Sequence, residues 1–257
     1  MRSEAWPGRK GAEGVTQQII SLMRPHACYI EPFLGKSPII TIKRPAPVQI
    51  GVDMDPQIVQ WWHRRRPSPC LTVMRGDALR ILSSSAAVLD PNVLWYLDPP
   101  YLGSTRSRRR YAYELWTKEE HASMLSIVLE IKGMVMISGY ASTLYSTMLE
   151  GNGWRVHRFP SMTRRGIRME HVWMNFPPGP LHDCRFVGRD YRERERIKRK
   201  RSRWASRFRA MPAAERQVIR EALDLVAPLS TTMPPAASSC PAVRTAASYL
   251  AMGAPCS

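Results

Sequence analysis

A chain of 257 residues with 44% hydrophobic content is long enough to bury one substantial core, which excludes a wholly disordered protein. Its formal net charge of +17 points to a polyanionic partner, either nucleic acid or an anionic membrane surface. The membrane reading is the weaker one, because no apolar stretch approaches the ~20 residues that a spanning helix requires. Trp6, Pro7, Gly8, Arg9 and Lys10 stand where a secretory leader would carry its apolar run, so no signal peptide is expected. Cys28, Cys70, Cys184, Cys240 and Cys256 are odd in number and lack any Cys-x-x-Cys spacing. Neither a disulfide framework nor a metal site is expected, and a reducing cytoplasm fits best.

In chain order, short β-like runs alternate with helical patterns up to about Phe176. Strands are predicted over residues 28–31, 48–52, 71–74, 93–97, 133–137, 155–159 and 171–176, and helices over 16–23, 56–64, 118–131 and 141–149. The run at 93–97 is continuously apolar, as a strand buried on both faces must be. Alternation of this kind implies right-handed βαβ units and a doubly wound, mainly parallel sheet. From Pro177 to Val226 the composition changes, with a dense Arg and Lys run over 190–209 and a further helical pattern after Pro212. This second zone is expected to be a basic helical extension that contacts nucleic acid, the plainer alternative being a solvated helix face. Residues 227–257, rich in Ala, Pro, Ser and Thr, are expected to form a disordered tail.

The chemistry-bearing residues gather at strand ends. Glu31-Pro32-Phe33-Leu34-Gly35 follows the first strand, and roughly 20 residues on the second strand ends at Asp53, the spacing of an α/β nucleotide site. Gly76-Asp77 closes the third strand, and Asp98-Pro99-Pro100-Tyr101 the fourth. In open α/β sheets ligands bind beyond the carboxyl ends of the strands, so these acids share one rim. Consecutive prolines stop the ladder and fix an extended corner, flanked here by a carboxylate and an aromatic ring. Trp61, Trp62, Met134 and Met136 read as core packing, and His121, His157 and His182 have no metal-ligand spacing.

This ordered set resembles the Dam-like class of DNA adenine N6-methyltransferases, in short bacterial or phage form, over roughly residues 1–176. Trp6 to Lys10 is similar to that class's W-x-G-x-K segment, which implies cofactor contacts from Trp6 and Lys10. The resemblance makes Glu31, Pro32, Phe33 and Gly35 the first cofactor loop, Asp53 the ribose-binding acid, and Asp98 to Tyr101 the catalytic motif. Asp77 and Asp98 complete the expected cofactor set. Ser138-Gly139-Tyr140 is similar to the S-x-Y element beside the target base, and Trp173 and Asn175 lie in a segment similar to the closing strand. The implied fold is a seven-stranded sheet of the S-adenosylmethionine-dependent methyltransferase type, with helices on both faces and one reversed strand.

On this reading Asp98 and the Pro99 carbonyl accept hydrogen bonds from an exocyclic amino group, while Tyr101 stacks on a base that has left the duplex. S-adenosylmethionine is the expected cofactor, duplex DNA the substrate, and a cognate restriction nuclease a conceivable partner of a monomeric enzyme. Two departures stand out. Lys36 and Ser37 replace the glycines usual after Gly35, which predicts weaker cofactor binding, and only residues 78–92 lie where larger members insert a recognition segment. DNA contacts are therefore expected from Arg106, Arg108, Arg109 and Arg110, from Arg164, Arg165 and Arg168, and from Arg199, Lys200, Arg201 and Arg203. Methylation of cytosine N4 and a catalytically impaired DNA-binding protein remain the alternatives.

The basic run yields a first prediction. Neutralising Arg199, Lys200, Arg201 and Arg203 together weakens binding to every duplex and flattens the dependence of log K on log salt, by up to ~0.9 slope units per lost phosphate contact. Filter binding across a salt series measures it, and an unchanged slope returns the run to a solvated face.

Overall fold

The computed structural model describes residues 14–65, 68–84, 90–102, 117–163 and 166–226. Its centre is a seven-stranded sheet in the order β3-β2-β1-β4-β5-β7-β6. The strands are β1 (Cys28–Glu31), β2 (Val48–Asp53), β3 (Leu71–Arg75), β4 (Val93–Leu97), β5 (Met134–Gly139), β6 (Arg155–Thr163) and β7 (Gly166–Met174). The first five pair in parallel, whereas β7 runs antiparallel to both β5 and β6. A doubly wound, mainly parallel sheet of seven strands with one reversed member is thus the fold that the sequence reading implied.

Helices cover both faces. Val15, Ile19 and Ile20 of α1 (Val15–Ile20), Ile39 and Ile40 of α2 (Ile39–Ile42), and Ile58 and Trp62 of α3 (Pro56–Arg65) pack on one face with Tyr29, Leu94 and Tyr96. On the other, Ile81 and Leu82 of α4 (Ala78–Ser84), Met124, Leu125 and Val128 of α5 (Lys118–Leu129), and Tyr145 of α6 (Thr143–Met148) enclose Ile30, Trp95, Leu97, Val135 and Ile137. Every residue of β4 is inaccessible to solvent, which is why its sequence is apolar without alternation. Chain order runs outward from β1 to β3 and then jumps across β1 to β4. The gap between β1 and β4 is therefore the topological switch point, where the crossovers leave a crevice at the carboxyl ends.

Three elements correct the sequence expectation. α2, of four residues, and α4, of seven, fall where the sequence predicts no helix; α2 is too short for helical periodicity to register. The stretch between residues 159 and 171 was read as a loop bearing arginines. Instead β6 and β7 continue through it as a ladder, Phe159 opposite Glu170, Ser161 opposite Arg168 and Thr163 opposite Gly166. Arg168 is accordingly a strand residue, while Arg164 and Arg165 lie outside the described residues.

The basic zone forms α7 (Tyr191–Ala210) and, beyond Met211 and Pro212, α8 (Ala213–Val226). Asp190 caps α7 by accepting from Glu193 N at 2.8 Å, and Gln18 of α1 donates to the Arg189 carbonyl. Upstream, the chain is clasped to the sheet. The His182 ring stacks on buried His26 at 3.9 Å, and its backbone N–H donates to Met23 O at 2.9 Å. Asp183 accepts from Arg44 N at 2.8 Å and from Arg185 Nε and Nη2. No described helix is long and apolar enough to cross a membrane.

Burial opposes the charge of Asp183, yet the bonds from Arg185 and from the Arg44 backbone outweigh it and hold its carboxyl down at about 2. Asp183→Ala strands those donors and is expected to destabilise the fold by roughly 2–3 kcal/mol at neutral pH, as lost bonds to a charged group do. For a depressed carboxyl the contribution is present above the ordinary 3.8 and disappears as the pH falls through about 2. Urea unfolding of parent and variant at pH 7 and in acid measures both.

Candidate active site

Two carboxyl groups flank the switch point, Glu31 ending β1 and Asp98 one residue past β4. Glu31 is 1% exposed. The Tyr29 hydroxyl donates to its Oε2 at 3.1 Å, and Ser37 adds a side-chain hydrogen bond. Burial pushes the Glu31 carboxyl up to about 8, and the nearby Asp98 charge pushes the same way. At neutral pH Glu31 is therefore mostly protonated. Beneath it Lys43, also buried, donates to Gln49 Oε1 at 2.6 Å and lies 4.2 Å from the Tyr29 ring centroid. Burial lowers the Lys43 amine to about 7 against the pull of Glu31.

Asp98 is held from the neighbouring strand. The register sets Leu97 opposite Ile137, so the next pair brings Ser138 beside Asp98. The Ser138 hydroxyl donates to Asp98 Oδ1 at 3.0 Å and is 2.9 Å from the Tyr96 hydroxyl. A serine has one proton, so with that proton on Asp98 the Tyr96 phenol is the donor of the second bond. Pro99 is buried and Pro100 half-buried, which leaves the corner little freedom.

Tyr101 leads towards the reversed strand. Its hydroxyl donates to Glu170 Oε1 at 2.9 Å, and its ring meets Tyr140 edge-on, centroids 4.5 Å apart. Burial, with the charges of Asp98 and Glu170, raises the Tyr101 phenol well above its ordinary value, so it stays protonated and a donor. Arg168 lies 5.1 Å from the Tyr140 ring centroid. Glu170 was absent from the sequence reading. Its partner is 69 residues away, and only the antiparallel pairing of β5 and β7 brings the two together.

The loop after β1 is built around Gly35, whose φ of +47° lies in the left-handed region that favours glycine. Its N–H donates to Asp53 Oδ2 at 2.7 Å, and its carbonyl accepts from Trp62 Nε1 at 2.7 Å. A Cβ placed at Gly35 would meet nothing within 4 Å, so the loop faces open space there. Asp53 Oδ1 accepts from Asp55 N at 2.8 Å, and burial raises the Asp53 carboxyl. The Lys36 amine lies 5.3 Å from the Trp61 ring centroid, and Ser37 Oγ accepts from Ile39 N at 3.2 Å to start α2. Pro32 is buried under the loop, and Phe33 packs partly buried against the core. Asp77 caps α4, its Oδ1 accepting from Leu79 N at 2.8 Å. Trp6, Lys10, Arg106, Arg108, Arg109 and Arg110 lie outside the described residues. Arg199, Lys200, Arg201 and Arg203 are exposed on α7.

The class so defined is a doubly wound α/β domain with two carboxyl groups, Glu31 and Asp98, at the ends of the strands that flank its switch point. No family model and no curated protein matches the chain. Among solved structures it is similar to the N-methyltransferase NodS from Bradyrhizobium japonicum WM9, at 11% identity and a TM-score of 0.45 over 64% of this chain and 94% of that one. It is also similar to the 23S rRNA methyltransferase ErmE, at 13% and 0.42 over 82% and 87%. A third is the precorrin 8w decarboxylase of Methanobacterium thermoautotrophicum, at 14% and 0.41 over 64% and 90%. The function is accordingly argued from the residues of the crevice.

Glu31 makes a pH prediction. The unfolded chain releases this proton near 4.5, whereas the fold holds it to about 8. The stabilising contribution is complete below 4.5 and is lost as the pH rises towards 8. Glu31→Gln keeps an acceptor for Tyr29 and carries no such penalty. The stability of the variant relative to the parent is expected to rise steadily across that window, as read from urea midpoints.

Proposed function

We propose that the protein is an S-adenosylmethionine-dependent methyltransferase acting on an exocyclic amino group in DNA, N6 of adenine. The observation that carries this reading is the rim at β4 and β5, with Asp98 oriented by Ser138 and Tyr101 set against Tyr140 beside it. An exocyclic amine is a poor nucleophile because its lone pair is delocalised into the ring. Asp98, fixed by a donated hydroxyl proton, accepts an amino hydrogen, and the rigid Pro99 corner presents a carbonyl for the second. Together they favour a pyramidal nitrogen with its lone pair directed away from the ring. The two tyrosine rings form an aromatic corner, and stacking on such a surface holds a base withdrawn from the duplex.

The residues present fit the cofactor. S-adenosylmethionine, when bound, supplies a methyl group on a sulfonium. The open space before Gly35 admits close approach to the backbone. Asp53, braced by two backbone N–H groups, is the acid for ribose hydroxyls, and Asp77 lies on the same rim. Glu31, mostly neutral, supports the loop from below through Tyr29 and Ser37 without placing a second full negative charge beside Asp98. Ser37 starts α2 and Lys36 lies over Trp61, so replacing both with glycine removes these supports and does not tighten binding. The exposed arginines of α7 supply sequence-independent contacts to phosphates.

Asp98→Ala is expected to cut the single-turnover rate by about 10²–10³-fold or more, while S-adenosylmethionine affinity by calorimetry changes little. Transfer of tritiated methyl to DNA, followed by nucleoside analysis, reports the acceptor. Label in N4-methylcytosine would reassign the base, and an active Asp98→Ala protein would remove the mechanism.

A further inference from the structure

β6 and β7 outrun the sheet. The last residue of β5, Gly139, pairs with His171, yet the β6–β7 ladder continues beyond it through Phe159–Glu170, Pro160–Met169, Ser161–Arg168, Met162–Ile167 and Thr163–Gly166. Five further pairs extend the ribbon by about 17 Å past the carboxyl rim on which the crevice opens.

Its two faces differ. Phe159, Ser161 and Glu170 lie on one face and are buried, with Arg168 on the same side over Tyr140. Glu170 of that face holds the Tyr101 phenol. The opposite face carries Pro160, Met162, Ile167 and Met169 as directly opposed cross-strand pairs. Met162, Ile167 and Met169 are 65%, 68% and 47% exposed. Isolated exposed apolar residues are ordinary, but a contiguous set on a protruding strand pair at the sheet edge is a liability that marks an interaction surface.

We propose, resting on the nucleic-acid reading above, that this face is a wedge that enters the duplex beside the target base. Three observations select nucleic acid as the occupant. The ribbon is continuous with the crevice through Glu170 and Arg168, so whatever occupies one touches the other. The residues joining the two strands are Arg164 and Arg165 in sequence, and the chain carries a net charge of +17, which suits a polyanion. A two-stranded ribbon fits a groove of duplex DNA, and Met, Ile and Pro side chains are of the kind that insert between base steps and unstack them. Met162 and Ile167, at the end of the ladder, are the leading edge. Arg168 on the reverse face supports the tyrosine corner where the extruded base is received.

The test uses the full chain and long duplex DNA of mixed sequence, with permanganate as the probe of unstacked thymines, including those orphaned opposite an extruded adenine. The parent is expected to produce discrete reactive thymines. In Met162→Ser/Ile167→Ser their reactivity falls by about tenfold at saturating protein, whereas the salt dependence of binding is unchanged because no phosphate contact is lost. Ile167→Leu retains the parent pattern. Both residues are largely solvent-exposed, so the fold tolerates serine, and circular dichroism of the double variant verifies this. Parent-like reactivity in the double variant overturns the wedge while leaving methyl transfer to be judged by its own assay. A parent that sediments as a dimer and a variant that sediments as a monomer would assign the face to a second copy and overturn it too. Failure of the parent to bind DNA at all removes both the wedge and the nucleic-acid reading. DNA unstacking by a parent that transfers no methyl would sustain the wedge and refute the enzyme.

Discussion

Two carboxyl groups at the ends of adjacent strands cannot both be charged in a buried crevice without cost. The fold relieves this at Glu31. Glu31 is sunk beneath the loop, where loss of water raises its carboxyl to about 8, and Asp98 is set at the rim with a hydroxyl donor on Oδ1. The arrangement follows from strand order, since β1 and β4 become neighbours only because the chain crosses over at that point. Tyr29 and Ser37 bind the buried acid, and Ser37 in turn starts α2. The first loop, the short helix behind it and the polarity of the rim are thus consequences of one electrostatic constraint.

A second organising relation runs across β5 and β7. Ser138 reaches Asp98 and Tyr140 meets Tyr101, so alternate residues at the end of β5 serve the two ends of the DPPY corner. The reversed strand adds Glu170 to the same group. Because β7 is antiparallel, its amino-terminal half lies at the carboxyl end of the sheet, and a hairpin that might have ended at the sheet's lower edge rises beside the crevice instead. The basic helix α7 begins near α1, anchored through Asp190, Gln18 and the His182–Asp183 clasp. Charge is concentrated on exposed helical surface, while the side chains nearest the crevice are acidic and aromatic.

The loop after β1 departs from the expected pattern at two residues whose side chains have local partners. Lys36 and Ser37 read as obstacles because they replace residues with freer backbones. Gly35 adopts a positive φ, and the side chains after it turn to Trp61 and to the start of α2. Trp62, read as core packing, is buried as expected and also ties the Gly35 carbonyl to α3.

The sequence by itself determined the five parallel strands, four of the six helices of the sheet layers (α1, α3, α5 and α6), and the acids that lie at strand ends. Continuous apolar runs, helical periodicity and proline corners are all properties of neighbouring residues. It also located Asp53, Asp77 and Asp98 on one rim, because in a doubly wound sheet every strand end after a βα turn faces the same way. What only the tertiary structure decided depends on pairing between distant segments. These are the neutral state of Glu31, the bond from Ser138 to Asp98, the hold of Glu170 on Tyr101, and the extension of β6 to Thr163 and of β7 back to Gly166. A hydrogen bond across 40 or 69 residues leaves no periodic trace, and a pKa is set by the water a group loses, which is known only once the chain has closed around it.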